Sequence, residues 1–87
     1  MKRLPSLAKE YLAKVLESIL FVADESFEVS LLAKALRRPK ADIDAALTDI
    51  DARCGSAGIR LQRANGLVQF VSAPESGPYV ERFLGLE

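Results

Sequence analysis

An Asn-Gly pair at residues 65–66 constrains the fold of this 87-residue chain more than any other feature. It lies inside "GIRLQRANGLVQFVSAP", where apolar and polar residues alternate on both sides of the pair. Asn-Gly between alternating stretches is the strongest short-range signal for a two-residue type I′ hairpin turn. That turn predicts an antiparallel hairpin in which Leu61 faces Phe70. The residues predicted to share its core-facing side are Ile59, Leu61, Val68 and Phe70.

Helical periodicity dominates the rest of the chain. Phe27 and Val29 alternate around a polar residue and predict one very short strand. Gly55 is a suitable C-terminal cap for the predicted helix of residues 39–54. A capping-box pattern begins at Ser72, but Pro78 favours a last helix that starts nearer Gly77. The other predicted helices are residues 7–23, 29–38 and 39–54. In the first, the residues predicted to lie on one apolar face are Leu12, Val15, Leu16, Ile19, Leu20, Val22 and Ala23.

Composition fits a single soluble domain of residues 1–87, with 49% hydrophobic and 28% charged residues. Twelve basic and twelve acidic side chains cancel, so no chain-wide field attracts nucleic acid or anionic lipid. The apolar runs are far shorter than a membrane span needs. The one cysteine, Cys54, suits a reducing compartment, and we expect a cytoplasmic protein.

Catalysis is not indicated. The chain has no histidine, the commonest general base and metal ligand. Cys54 has no second cysteine with which to form a disulfide or a metal site. No glycine-rich phosphate loop is present, because "CGSAG" lacks the Lys-Ser/Thr ending. We therefore expect no enzymatic activity, no cofactor, no metal and no small-molecule substrate.

The order helix, short strand, helix, helix, hairpin, helix predicts an α+β fold, a winged helix-turn-helix in which the hairpin is the wing. Such domains commonly insert their third helix into the major groove of DNA. Here that helix carries four aspartates, which oppose phosphate contact. Basic residues surround it, and they are the candidate nucleic-acid contacts of an alternative function as a transcriptional regulator. These residues are Arg37, Arg38, Lys40, Arg60 and Arg63. A solvated charged rim is the favoured interpretation of the same residues.

Three stretches resemble the N-terminal winged-helix domain of segregation and condensation protein B, ScpB, the bacterial partner of SMC and the kleisin ScpA. They are "LESILFVADESFEVSLLAKAL", "IDAALTDI" and "GIRLQRANGLVQFVSAPESGPYVERFL", which together run from about Val15 to Leu84. Ser26 and Pro39 depart from the usual family residues at two turns. Family members also carry a second winged helix, so this chain resembles an N-terminal half.

The resemblance implies a non-enzymatic, nucleoid-associated role in chromosome condensation and segregation. It implies a homodimer that joins ScpA and SMC, with self-association in this half and kleisin contact mainly in the other. It does not identify the surface involved.

The first helix offers a candidate for that surface. Phe21 projects onto the same polar side as Lys14 and Glu17, with Tyr11 and Leu7 toward one edge of that side. Aromatic residues are enriched in such patches, so Leu7, Tyr11 and Phe21 are the predicted dimer interface. An equally weighted alternative packs Phe21 on Tyr79 or Phe83 of the same subunit. A winged helix that binds other proteins in another assembly is a third possibility.

Overall fold

Four α-helices and one three-stranded antiparallel sheet make up the part of the chain that the computed structural model describes. This part is residues 8–86, apart from the side chain of Lys9. In chain order the elements are α1 (Lys9–Val22), β1 (Phe27–Glu28), α2 (Val29–Leu36), α3 (Lys40–Arg53), β2 (Ile59–Ala64), β3 (Leu67–Ser72) and α4 (Gly77–Leu84), with a 3₁₀ turn at Pro74–Ser76. The sheet order is β1-β3-β2. This is the α+β winged helix-turn-helix predicted from the sequence.

The hairpin turn has the predicted conformation. Asn65 and Gly66 both have positive φ, 55° and 78°, as a type I′ turn requires. The register places Leu61 opposite Phe70, as expected. β1 pairs with the other side of β3, and the Val29 amide donates to the Gly66 carbonyl at 2.9 Å. The hairpin is thereby joined to the start of α2.

The core-facing stripe of the hairpin is shorter than predicted. Leu61 and Val68 are buried, and Phe70 packs partly buried against the same core. Ile59 was expected on this side but is 42% exposed. It begins β2 opposite the polar Ser72, and neither residue belongs to the core cluster. The prediction for Ile59 is therefore wrong.

The helices bury narrow stripes at i, i+3 and i, i+4 spacing, and these stripes pack mainly on one another. The buried core residues they contribute are Leu12, Leu16, Leu20, Val29, Leu32, Ile43, Leu47 and Ile50. Val22 was predicted on the core face of α1 but is 77% exposed. It projects about 120° from Leu16 around the helix, outside the sector that α3 and the sheet cover.

The end of α3 differs from the prediction. Cys54, not Gly55, is its C-terminal cap, with right-handed φ and ψ of −81° and −4°. The Cys54 amide donates to both the Ile50 and the Asp51 carbonyls at 3.1 Å, which tightens the last turn. Gly55 has no positive φ and is not required there for its conformation.

The start of α4 confirms one prediction and corrects another. The helix begins at Gly77 with Pro78 in its first turn. Proline fits there because backbone N–H groups in the first turn have no hydrogen-bond partner within the helix. No side chain caps either this helix or the turn before it, so Ser72 does not form a capping box. Glu75 instead pairs with Arg60 at 3.0 Å.

Gly66→Ala tests the turn. A Cβ at Gly66 would meet nothing within 4 Å, so the cost is that of the left-handed backbone alone, about 1–2 kcal/mol. Gly58→Ala is the matched control, because its site is equally open and has no positive φ. It should change stability by less than about 0.5 kcal/mol. Urea unfolding at one fixed protein concentration measures both; equal losses would contradict the assigned turn.

Candidate protein-interaction surfaces

The outer side of α1 presents the residues predicted for a dimer interface. Phe21 is 82% exposed and Tyr11 is 55% exposed. Leu7 lies outside the described residues. The alternative in which Phe21 is buried against Tyr79 or Phe83 of the same subunit is wrong, because all three side chains are largely exposed. Phe21 is therefore available to a partner.

Sequence reasoning missed Val22 on this helix. Tyr11 and Val22 lie within about 20° of each other around the axis, next to the half-buried Val15. Phe21 lies on a separate side of the helix, about 100° from Val22. We call Tyr11, Val15 and Val22 the α1 flank. Its signal was present in the sequence, as a broad apolar face, but periodicity could not show which part of that face the core would leave uncovered.

The last helix contains no buried residue. Tyr79, Phe83 and Leu84 are 78%, 88% and 57% exposed, and Leu86 just beyond the helix is 70% exposed. Tyr79, Phe83 and Leu84 lie on one side of α4, with Glu81 on the other. Their helical spacing was visible in the sequence, but their exposure follows from the position of α4 outside the core. We call Tyr79, Phe83, Leu84 and Leu86 the α4 face.

The basic residues proposed for the DNA-binding alternative are largely matched with carboxylates. Arg63 donates to Asp44 at 2.8 Å, and Arg38 pairs with Asp42 at 3.7 Å. Arg37 is exposed, and it adopts a left-handed φ of 54° where it ends α2. Lys40 is exposed at the start of α3 and lines an open cleft of about 280 Å³ with Asp44 and Arg63. In that cleft the Asp44 carboxylate offsets the charge of Arg63.

The outer face of α3 is unsuited to reading DNA. Its exposed residues between the helix ends are Ala41, Ala45, Thr48, Asp49, Asp51 and Ala52. The Thr48 hydroxyl donates to the Asp44 carbonyl at 3.0 Å. The remaining methyl groups and carboxylates supply neither phosphate contacts nor the paired donors and acceptors that read guanine or adenine. Arg53, at the end of the helix, pairs with Glu17 of α1 at 3.3 Å.

Arg60 has a structural role that the sequence did not reveal. Its Nη1 donates to the carbonyls of Cys54, Ala57 and Ile59 at 3.0, 2.6 and 2.9 Å, and its Nη2 pairs with Glu75. A cation near a helix C-terminus satisfies carbonyls that the helix leaves unpaired. Arg60 therefore connects the end of α3 to the wing and to the turn before α4. Its hydrogen-bond donors bind carbonyls and a carboxylate rather than a phosphate.

These surfaces define a winged-helix protein with exposed apolar surfaces on α1 and α4 and an acidic third helix. Residues 14–87 match the family model described as segregation and condensation complex subunit ScpB. The chain therefore belongs to the ScpB family, as its sequence indicated.

Three solved structures resemble the chain. The crystal structure of ScpB from Mycobacterium tuberculosis is 27% identical with a TM-score of 0.83, and the match covers 92% of this chain and 51% of that one. A dimer of ScpB N-terminal domain complexed with ScpA peptide is 22% identical with a TM-score of 0.75, covering 85% and 95%. A conserved hypothetical protein from Chlorobium tepidum is 18% identical with a TM-score of 0.75, covering 87% and 49%. The two structures below 25% identity support the fold alone.

The chain spans about half the length of the Mycobacterium tuberculosis and Chlorobium tepidum proteins. It spans nearly all of the isolated N-terminal domain. No curated protein sequence matches the chain. Among residues 8–86, no helix is both long enough and apolar enough to cross a membrane.

Arg60→Ala should lower the free energy of unfolding by about 1–2 kcal/mol, because the Cys54 and Ala57 carbonyls lose a charged donor. Glu75→Gln is the control: it removes only the exposed ion pair and should cost less than about 0.5 kcal/mol. Chemical denaturation followed by circular dichroism measures both. Wild-type stability in Arg60→Ala would refute the structural role.

Proposed function

We propose that this chain is a non-enzymatic subunit of an SMC–kleisin complex and acts in chromosome condensation and segregation. The match of residues 14–87 to the ScpB family carries the proposal. The protein works in the cytoplasm, at the nucleoid, with ScpA and SMC as its partners. This domain acts as the N-terminal winged helix of the subunit, and its main task is self-association.

The exposed aromatic residues of α1 support self-association. An interface on Phe21 and Tyr11 would remove two large side chains from water in each copy. An isologous dimer requires one self-complementary surface, and a helix side can supply it. The related N-terminal domain, of which the chain covers 95%, is a dimer in its crystal structure.

Kleisin contact is also proposed for this half. The resemblance alone assigned that contact mainly to a second winged helix. The related N-terminal domain dimer, however, is complexed with a ScpA peptide. We extend that property to this chain as a dimer, so self-association and ScpA binding would reside in one domain.

Direct DNA binding is not favoured by the charges of the domain. Three of the five candidate residues, Arg38, Arg60 and Arg63, are paired with carboxylates. A DNA phosphate would have to displace the carboxylate that each arginine binds. The lost ion pair offsets the free energy gained from the phosphate contact, and phosphate contacts are the main source of affinity for DNA.

Sedimentation equilibrium of the reduced 87-residue chain should show a reversible monomer–dimer equilibrium. Phe21→Glu should remain folded, because Phe21 is 82% exposed, and should raise the dimer Kd at least about 30-fold. Ala45→Glu, which adds the same charge on the exposed face of α3, is the control. A wild-type chain that stays monomeric at its highest soluble concentration would remove self-association from the proposal.

Binding of ScpA from the same organism tests the assembly role. Titration calorimetry should give a complex with the dimeric domain and a weaker one with Phe21→Glu, since the variant must first be driven to dimerise. A dimer that binds no ScpA would limit this half to self-association. Equal affinity of the wild type and the variant would show that ScpA binds each monomer independently.

A further inference from the structure

The α4 face has no cover within the subunit. Helices shorter than about 12–15 residues are marginal in water, and α4 has eight residues without one buried side chain. In a folded domain, the helix gains most of its stability from packing of an apolar face. The exposed Tyr79 and Phe83 side chains therefore indicate a surface that packs against another protein molecule.

Local interactions nevertheless fix where α4 begins and ends. Pro78 occupies its first turn, and Gly85 ends it in the left-handed conformation with φ 71°. The Leu86 amide donates to the Glu81 carbonyl at 2.9 Å and the Gly85 amide to the Arg82 carbonyl at 3.1 Å, the pair of bonds of a Schellman motif. α4 is thus a preformed arm, and its base is held by the Glu75–Arg60 ion pair.

A matching surface is available on α1. Val22 and Tyr11 of the α1 flank remain 77% and 55% exposed, so the α4 arm of the same chain leaves them uncovered. Phe21 is also exposed at this end of α1. The subunit thus presents two apolar surfaces of the same chemistry that it does not bring together.

The exposed area indicates a second copy as the occupant. Four aromatic and three aliphatic side chains on α1 and α4 present on the order of 1,000 Å² per subunit, close to the roughly 800 Å² that each partner buries in a standard stable interface. They are Tyr11, Phe21, Val22, Tyr79, Phe83, Leu84 and Leu86. A two-fold arrangement uses each surface twice, because a contact from one copy to the other is repeated in reverse.

We infer that α4 is an exchanged arm: the α4 face of one copy packs across the outer side of α1 in the second copy, on the α1 flank and on Phe21. This inference rests on the proposed self-association and names the surfaces that produce it. The related N-terminal domain forms a dimer without a second winged helix. A dimer of this domain can therefore cover α4 without a second winged helix.

The double variant Tyr79→Ser/Phe83→Ser tests the arm. Neither side chain is buried in the subunit, so the circular dichroism spectrum of the dilute monomer should be unchanged. The dimer Kd should rise at least about 100-fold, because central aromatic residues carry much of the affinity of an interface. Glu81→Gln/Arg82→Gln, on the other side of α4, is the matched control and should leave the Kd within about threefold.

Cysteine pairing then shows which surfaces meet. Cys54 is buried and is replaced by Ala in every chain. A tagged chain with Val22→Cys is mixed with an untagged chain with Phe83→Cys in oxidised glutathione. The expected product is the mixed disulfide of tagged and untagged chains. A control mixture of Val22→Cys with Leu31→Cys, which places the second cysteine on the exposed side of α2, should give far less.

The results separate the arm from the proposed function. If the wild type dimerises, Tyr79→Ser/Phe83→Ser dimerises equally and no mixed disulfide forms, the arm is refuted while self-association stands. If the wild type is monomeric, self-association fails and the arm fails with it. A weakened variant together with the mixed disulfide establishes the exchange.

Discussion

The type I′ turn at Asn65-Gly66 is the constraint on which the rest of the fold depends. It sets the hairpin register, and a slip of one residue would move Leu61 and Val68 from the core to solvent. Its Gly66 carbonyl also accepts the Val29 amide, so the same two residues place the start of α2. An isolated hairpin is marginal in water. Packing of its buried side on α1 and α3 therefore stabilises the wing and the helices together.

A core of this size cannot cover every apolar side chain that the chain carries. Small domains bury a lower fraction of their surface than large ones. Here one narrow stripe on each of α1, α2 and α3, with one side of the hairpin, fills the core. The apolar side chains left outside it are grouped on the α1 flank, at Phe21 and on the α4 face. Large apolar surfaces of this kind mark sites of protein association, which agrees with the proposed role in self-association.

The charges on and around α3 do not favour contact with DNA. The aspartates of α3 do more than oppose phosphate, since Asp42 and Asp44 each pair with an arginine beside the helix. Arg60 is used at the end of α3, where its donors meet main-chain carbonyls. The same residues that a sequence presents as a basic cluster thus become part of the scaffold. The winged-helix fold is thus combined with an acidic third helix whose neighbouring arginines pair with carboxylates.

The sequence by itself determined the elements and the hairpin register, because these follow from local signals: helical spacing of Leu12, Leu16 and Leu20, turn chemistry at Asn65-Gly66, and Pro78 at a helix start. The resemblance of three stretches also indicated the family. The sequence also showed that Phe21 departs from the core face of α1. It could not show that Ile59 and Val22 are exposed, that Cys54 ends α3, or that Arg60 binds carbonyls. Each of those depends on how far neighbouring elements extend in space. The tertiary structure alone decided that α4 lies outside the core, since periodicity records which side of a helix is apolar and not what covers that side.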